Sequence, residues 1–265
     1  MEKNELISKI ESGDFTLSFS AIKAFAKSPS HFIAYKTGDR KETAAMKKGT
    51  LIHCAILEPE QLEKRYCILE RDLLPYPDKD FRNTENNNFK KGFEAKAISE
   101  NKEIIDFNEW DSALKHRDLA YNNEVIAPYL TKLKTTEYSV QWDFYGFNWR
   151  GIIDGIGSNY ILDLKTVADA SPEKAIWLAR QEKYHWQQFL YKQSERIAPY
   201  FSNYNLLVDA DMGISLHKIE WTALERAKKE LETVLDQFKI CIENNLWHQN
   251  YEFWAGKNSG IFIIE

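Results

Sequence analysis

Three runs with strand character, Glu137–Tyr145, Asn148–Gly157 and Tyr160–Val167, follow one another with only turns between them, Tyr145-Gly146 making the first. Strands so closely connected pair as a meander, which commits the middle of the chain to a sheet. Asp163 and Lys165 are two apart in the third run, so carboxylate and ammonium project from one face while Leu162 and Leu164 face the other way. Asp154 lies in the preceding run, among Gly151, Gly155 and Gly157, where the backbone can bend or be approached closely. A helix over 184–197 follows, and Tyr184, Gln187 and Tyr191 fall at i, i+3 and i+7 on one of its faces.

Two carboxylates and a lysine on neighbouring strands are what metal-assisted phosphodiester hydrolysis needs. Carboxylates hold a hard cation through oxygen, and the cation activates water and neutralises phosphate charge. The lysine orients that water or stabilises the developing charge. The Gln187 amide can hydrogen-bond a carboxylate, a water or a phosphate oxygen. Each piece alone has a plainer reading: a strand Asp-x-Lys is usually an ion pair, a lone Asp beside Gly a turn residue, and a tyrosine-rich helix a packing surface.

Upstream, Gly49-Thr50-Leu51-Ile52-His53 leads into Leu57-Glu58-Pro59. Met46, Gly49, His53, Ile56 and Leu57 recur at helical spacing, and Pro59 stops the helix. A histidine on an apolar face is more often a hydrogen-bonded core residue than a ligand. The functional alternative is a metal ligand or phosphate contact brought over the strands, with Gly49 permitting close approach.

Taken together these residues resemble the PD-(D/E)XK nuclease superfamily, in its RecB-like branch, and within it the phage-type exodeoxyribonuclease VIII (RecE-like) group. The matching segments are Gly49-Thr50 with His53 and Leu57-Glu58-Pro59; Arg150-Gly151 with Asp154; Asp163-Leu164-Lys165-Thr166; and Tyr184-His185-Trp186-Gln187 with Tyr191. Leu17-Ser18-Phe19-Ser20 and Lys27-Ser28-Pro29-Ser30-His31-Phe32 are similar to the group's N-terminal helix. The likeness spans roughly residues 15 to 200, and Asp163 stands where many members carry Glu. It implies an α/β fold with a restriction-endonuclease-like core, a central mixed sheet flanked by helices. It also implies Mg²⁺ or Mn²⁺ held by Asp154, Asp163, the Leu164 carbonyl and His53. Lys165 and Gln187 would be catalytic, with Glu137 and Tyr191 at the site's edge. The group's members resect linear double-stranded DNA from a 5′ end, work as toroidal homo-oligomers, and pass the single strand to a RecT-like annealing protein. Another nuclease of the superfamily, endonucleolytic or RecB-like, and a non-catalytic DNA-binding subunit are the alternatives.

Composition agrees with an intracellular enzyme and points to the cytoplasm. The N-terminus lacks a signal-peptide pattern, and no apolar run approaches a membrane span. Cys54, Cys67 and Cys241 are scattered, which speaks against a zinc site or a cysteine-ligated cluster. The net charge of −5 is unusual for a protein that grips nucleic acid. It is uneven, however. Between Ser20 and Thr50 stand Lys23, Lys27, Lys36, Arg40, Lys41, Lys47 and Lys48 against Asp39 and Glu42, a local +5 beside the His53 helix. A DNA lane or a solvated helical face accounts for it equally well.

The remaining pattern predicts helices over 20–58 broken near Pro29 and Gly38, a short strand Tyr66–Glu70, a polar mobile loop Asp78–Gly92 and helices over Glu94–Leu133 bounded by Pro128. Beyond the meander it predicts a helix near 172–182, strands Tyr204–Asp209 and Gly213–Glu220, and an amphipathic helix Thr222–Leu246. One nuclease domain is expected over 1–265: a helical part to about 135, the catalytic sheet and helices at about 136–220, and a C-terminal helix and tail. His116-Arg117-Asp118-Leu119 through Asn123 matches a kinase catalytic loop, but no Gly-rich phosphate loop or strand lysine precedes it. Trp110, Leu114, Arg117 and Tyr121 instead share helical spacing, so this segment is expected to be helix.

Overall fold

In the computed structural model, which describes residues 2–38, 42–69, 74–75, 81–82 and 84–255, hydroxyl side chains set the helix starts of the N-terminal part. After α1 (Lys3–Glu11) and the two-residue β1 (Thr16–Leu17), Ser18 Oγ accepts from the Ala21 amide to open α2 (Phe19–Phe25). Ser28 Oγ accepts from the His31 amide to open α3 (Pro29–Thr37), where Pro29 takes the first turn, and Thr43 does the same for α4 (Ala44–Leu57). Pro59 ends α4 in a 3₁₀ turn, Pro59–Gln61, leading to α5 (Leu62–Arg65) and β2 (Tyr66–Ile68).

Three expectations fail in the next stretch. Residues 84–92 are helical, inside α6 (Thr84–Ser99), whereas the rest of the expected loop, 78–80 and 83, lies outside the described residues apart from a turn at 81–82. Asn86 is fully buried there, so packing overrides the poor helix propensity of the asparagine run. Helix is then interrupted by β3 (Glu103–Ile105), which pairs in parallel with β2. A capping box, Asp106 with Glu109, starts α7 (Phe107–Asn122), and Pro128 sits inside the first turn of α8 (Ala127–Thr131) rather than bounding it. The kinase-like segment is helix, with His116 fully buried between the Ser112 and Asp209 carbonyls.

The meander forms as expected: β4 (Thr135–Phe144), β5 (Phe147–Ile156) and β6 (Tyr160–Val167). Tyr145 and Gly146 have φ of 57° and 82°, the two positive angles of the turn that matches strand twist. β4 and β5 pair along their length, from Phe144↔Phe147 to Thr135↔Ile156. β5 and β6 pair only at Gly155↔Leu162 and Ile156↔Ile161, and then part. α9 (Pro172–Gln181) and α10 (Tyr184–Tyr191) carry the chain back to β7 (Ser202–Asp209), parallel to β6 throughout, and β8 (Ile214–Ile219) closes the sheet. α10 stops at Tyr191, short of the expected 197, and turns follow. α11 (Trp221–Glu243) and α12 (Glu252–Ala255) complete the described chain.

The mixed sheet, in the order β1-β5-β6-β7-β8 with β4 on β5, has apolar material on both faces. One cluster joins Trp149 and Ile153 to Phe25, Phe32, Leu190 and Phe238 of the surrounding helices. The other joins Leu162, Leu164, Leu206 and Val208 to Leu51, Ile56 and Ala113. Burying both faces in this way fixes the register, since a one-residue slip of β6 would drive Asp163 and Lys165 into the second cluster. No helix among the described residues is long and apolar enough to cross a membrane.

Candidate metal centre and active site

The parting of β5 and β6 places Asp154 and Asp163 on the two strands just beyond their last pair. Asp154 Oδ2 accepts from the Leu164 amide at 2.8 Å, so the side chain of one strand occupies the place of the missing backbone partner. Leu164 therefore turns its amide towards β5, and its carbonyl shares that side, as N–H and C=O of one strand residue do. From above, α4 delivers His53: Nε2 lies 2.9 Å from Asp154 Oδ2 and Nδ1 3.0 Å from Glu137 Oε1. Ligand atoms of His53, Glu137 and Asp154 fall within 4.8 Å of one another, a grouping able to hold a metal ion. Glu137, expected at the edge, is thus a member of the cluster. Its φ of 49° is left-handed, and its bridge to Asp154 is missing although the pairs on either side keep register. Such a backbone for a non-glycine residue costs of order 1–3 kcal/mol, and it turns Glu137 towards His53.

On the other side stands the Asp163–Lys165 pair, Oδ2 to Nζ 2.7 Å, sharing a face as their spacing requires. Gln187 Nε2 donates to Asp163 Oδ1 at 3.0 Å and contacts the Tyr191 hydroxyl at 2.7 Å, and that hydroxyl donates to the Ile152 carbonyl at 2.6 Å. Lys165 Nζ lies 5.7 Å from the centre of the Tyr184 ring. The expected helix face is therefore assembled beneath Asp163. Gly151 makes room for it, because a Cβ there would come 2.8 Å from Tyr191. Gly49 likewise lets α4 settle on β6, a Cβ there falling 2.9 Å from Thr166 Oγ1.

Charge is finely divided. Burial disfavours the His53 imidazolium, but Asp154 and Glu137 outweigh it and hold its pKa up to about 10. Burial would raise Asp154, yet His53, the Lys165 charge and the Leu164 amide keep it below its ordinary value. Asp163, 1% exposed, is pushed up to about 7 by burial, against the pull of Lys165. Burial works against the Lys165 charge, and the Asp163 and Asp154 carboxylates outweigh it, so that pKa rises.

The donor set suits a hard divalent cation: imidazole nitrogen and carboxylate oxygens, with no thiolate in the cluster. Gln187 Oε1 is buried and accepts no hydrogen bond among the described residues, while the buried Glu137 Oε1 and Asp163 Oδ2 meet only the His53 and Lys165 cations. Buried oxygens in that state favour a positively charged ligand. Asp163 lies outside the His53–Glu137–Asp154 grouping, on the far side of the parting. A cavity of about 470 Å³ opens over the site, lined by Gly49, Thr50, His53, Glu137, Asp154, Leu164, Lys165 and Thr166 together with Cys54, Glu58 and Arg65. Arg65 had no signal in the sequence.

The basic lane is partly spent on structure. Lys23 pairs with Glu182 and Lys47 with Glu103. Asp39, Arg40 and Lys41 lie outside the described residues.

Residues 18–252 match the family model described as a PDDEXK-like domain of unknown function, DUF3799. The chain belongs to this family. The superfamily resemblance read from the sequence holds at the level of a PDDEXK-like domain. Among solved structures, one described as a candidate exonuclease from Eubacterium rectale is 14% identical and covers 89% of this chain and 84% of its own, with a TM-score of 0.58. It shares the fold. An alkaline exonuclease, LHK-Exo, from Laribacter hongkongensis is 11% identical over 61% of this chain and 83% of its own, with a TM-score of 0.31. No curated protein matches the sequence.

Proposed function

We propose that this PDDEXK-like protein is a Mg²⁺- or Mn²⁺-dependent exodeoxyribonuclease that degrades linear double-stranded DNA, in the 5′ to 3′ direction, with residues 1–265 forming one nuclease domain. The observation that carries the hydrolytic reading is the meeting, where β5 and β6 part, of the His53–Glu137–Asp154 cluster with the Asp163–Lys165 pair. The candidate exonuclease fold of the Eubacterium rectale structure supports exonucleolytic action. The direction, a toroidal homo-oligomer, a RecT-like partner and a cytoplasmic setting rest on the resemblance to the exodeoxyribonuclease VIII group.

In this reading Asp154, Asp163, the Leu164 carbonyl and His53 hold the cation, and Glu137 joins them on the strength of its 3.0 Å contact with His53. When bound, the cation activates water and neutralises charge on the scissile phosphate. His53 must give up a proton before its nitrogen can serve as a ligand. Lys165, anchored on Asp163, holds the attacking water or neutralises charge developing on the phosphate. Gln187, tied to Tyr191 and through it to the Ile152 carbonyl, fixes the orientation of the Asp163 carboxylate.

Digestion of end-labelled linear and covalently closed circular duplexes with Mg²⁺, and with EDTA, tests the proposal. Loss of the 5′ label first, from linear DNA only and only with metal, is the expected result. Equal cutting of circles replaces the exonuclease with an endonuclease, earlier loss of the 3′ label reverses the direction, and full activity in EDTA removes the metal.

A further inference from the structure

The cavity over the candidate centre has an asymmetric wall. Its acidic side is Glu137 and Asp154, and two of its cations are already committed: His53 lies between those carboxylates, and Lys165 sits 2.7 Å from Asp163. Arg65 is different. It stands at the end of α5, and its guanidinium meets Glu58 through two contacts, Nη1 to Oε2 at 2.7 Å and Nη2 to Oε1 at 3.0 Å. Nη1 also approaches Cys54 Sγ at 4.0 Å. The Glu58 side chain is 13% exposed and Arg65 49%, so the carboxylate is sunk in the wall while the guanidinium reaches the cavity.

We infer that Arg65, held in place by Glu58, is a phosphate-binding residue that grips the DNA strand beside the scissile phosphodiester. This rests on the nuclease reading above. A guanidinium has five N–H donors in a planar fork; two serve Glu58, one faces the weak acceptor Cys54, and the others have no partner among the described residues. That fork matches phosphate oxygens in a way an ammonium does not. Fixing the long side chain beforehand lowers the ordering cost that a free surface arginine meets on binding. The arrangement also accounts for Glu58, the middle residue of Leu57-Glu58-Pro59, because the proline-terminated end of α4 sets its carboxylate where α5 brings the guanidinium. A strand approaching the acidic centre then meets a cation at the wall before it reaches the carboxylates.

The test compares the full chain with Arg65→Gln and Arg65→Lys by fluorescence anisotropy on a labelled duplex, with Ca²⁺ replacing Mg²⁺, over a series of salt concentrations. Thermal melts of each variant establish the fold. For Arg65→Gln, Kd is expected to rise about tenfold and the slope of log K against log salt to shrink by about one, the signature of one lost phosphate contact. Arg65→Lys keeps the slope but raises Kd by about threefold, because charge remains and the fork is lost. With Mg²⁺, KM for DNA rises in parallel while kcat stays within about threefold. A purely structural Arg65–Glu58 pair moves the melting temperature and leaves the salt slope alone. A folded Arg65→Gln protein with unchanged Kd and slope overturns the inference; should that variant fail to fold, an unchanged Kd for Arg65→Lys overturns it, and a raised Kd at unchanged slope supports it. Wild-type protein that neither binds nor cuts DNA defeats the nuclease reading itself, and this inference with it.

Discussion

Asp154 and Asp163 stand on neighbouring strands just past the same last ladder pair, yet their surroundings push them in opposite directions. Asp154 opens on the cavity, shares His53 with Glu137, accepts the Leu164 amide, and is held below the usual carboxylate range. Asp163 is sealed beneath, bonded to Lys165 and Gln187, and burial pushes it up to about 7. One carboxylate belongs to an open array of acceptors, the other to an interior anchor that sets the position of a lysine. The difference teaches that burial and neighbouring charge can divide the work of one aspartate pair: in the proposed reading both hold the cation, while Asp163 alone also fixes a lysine.

The largest effect separates these jobs. Asp154→Ala is expected to lower DNA hydrolysis by more than about 10³-fold, the loss of several kcal/mol of metal-assisted stabilisation. Asp163→Ala should lose activity too, but it also strands the Lys165 charge, costing ~3 kcal/mol of stability. Urea titration of the two variants checks the contrast, and a larger stability loss for Asp154→Ala would erase it. Next comes Lys165→Ala, with turnover on the same DNA down by ~10²-fold as a preorganised charge is removed; unchanged turnover would reduce the lysine to an ion-pair partner. Glu137→Gln is expected to weaken Mn²⁺ binding about tenfold in calorimetry, and equal affinity would return Glu137 to the rim of the site. The smallest effect is expected on the buried side. Gly151→Ala should push Tyr191, and with it Gln187, at a cost of ~1 kcal/mol in the urea midpoint, while Mn²⁺ affinity stays as in the wild type.

Much of this was legible beforehand because strand and helix periods are local. The i, i+2 spacing of Asp163 and Lys165 gave their shared face, and the i, i+3, i+7 spacing of Tyr184, Gln187 and Tyr191 gave the face that meets Asp163. His53 lay on the expected side of α4. What escaped depends on distant packing. Glu137 joins the cluster through a left-handed backbone that no residue preference at that position announces. Asn86 is buried in α6 despite a run of residues that reads as loop, and the three residues of β3 are strand only because β2 lies beside them. Arg65 reaches the cavity through Glu58, a pairing seven residues apart that the turn at Pro59 splits between two helices, so no continuous helix face carries it.

The Leu164 amide spends its hydrogen on the Asp154 carboxylate, where a continuous ladder would have offered a backbone oxygen. That amide is consequently a built-in reporter. Any ligand that draws the carboxylate away frees one N–H on the side of β6 where β5 has parted from it, and its exchange with deuterium would quicken while the β6 amides that bond to β7 stay protected.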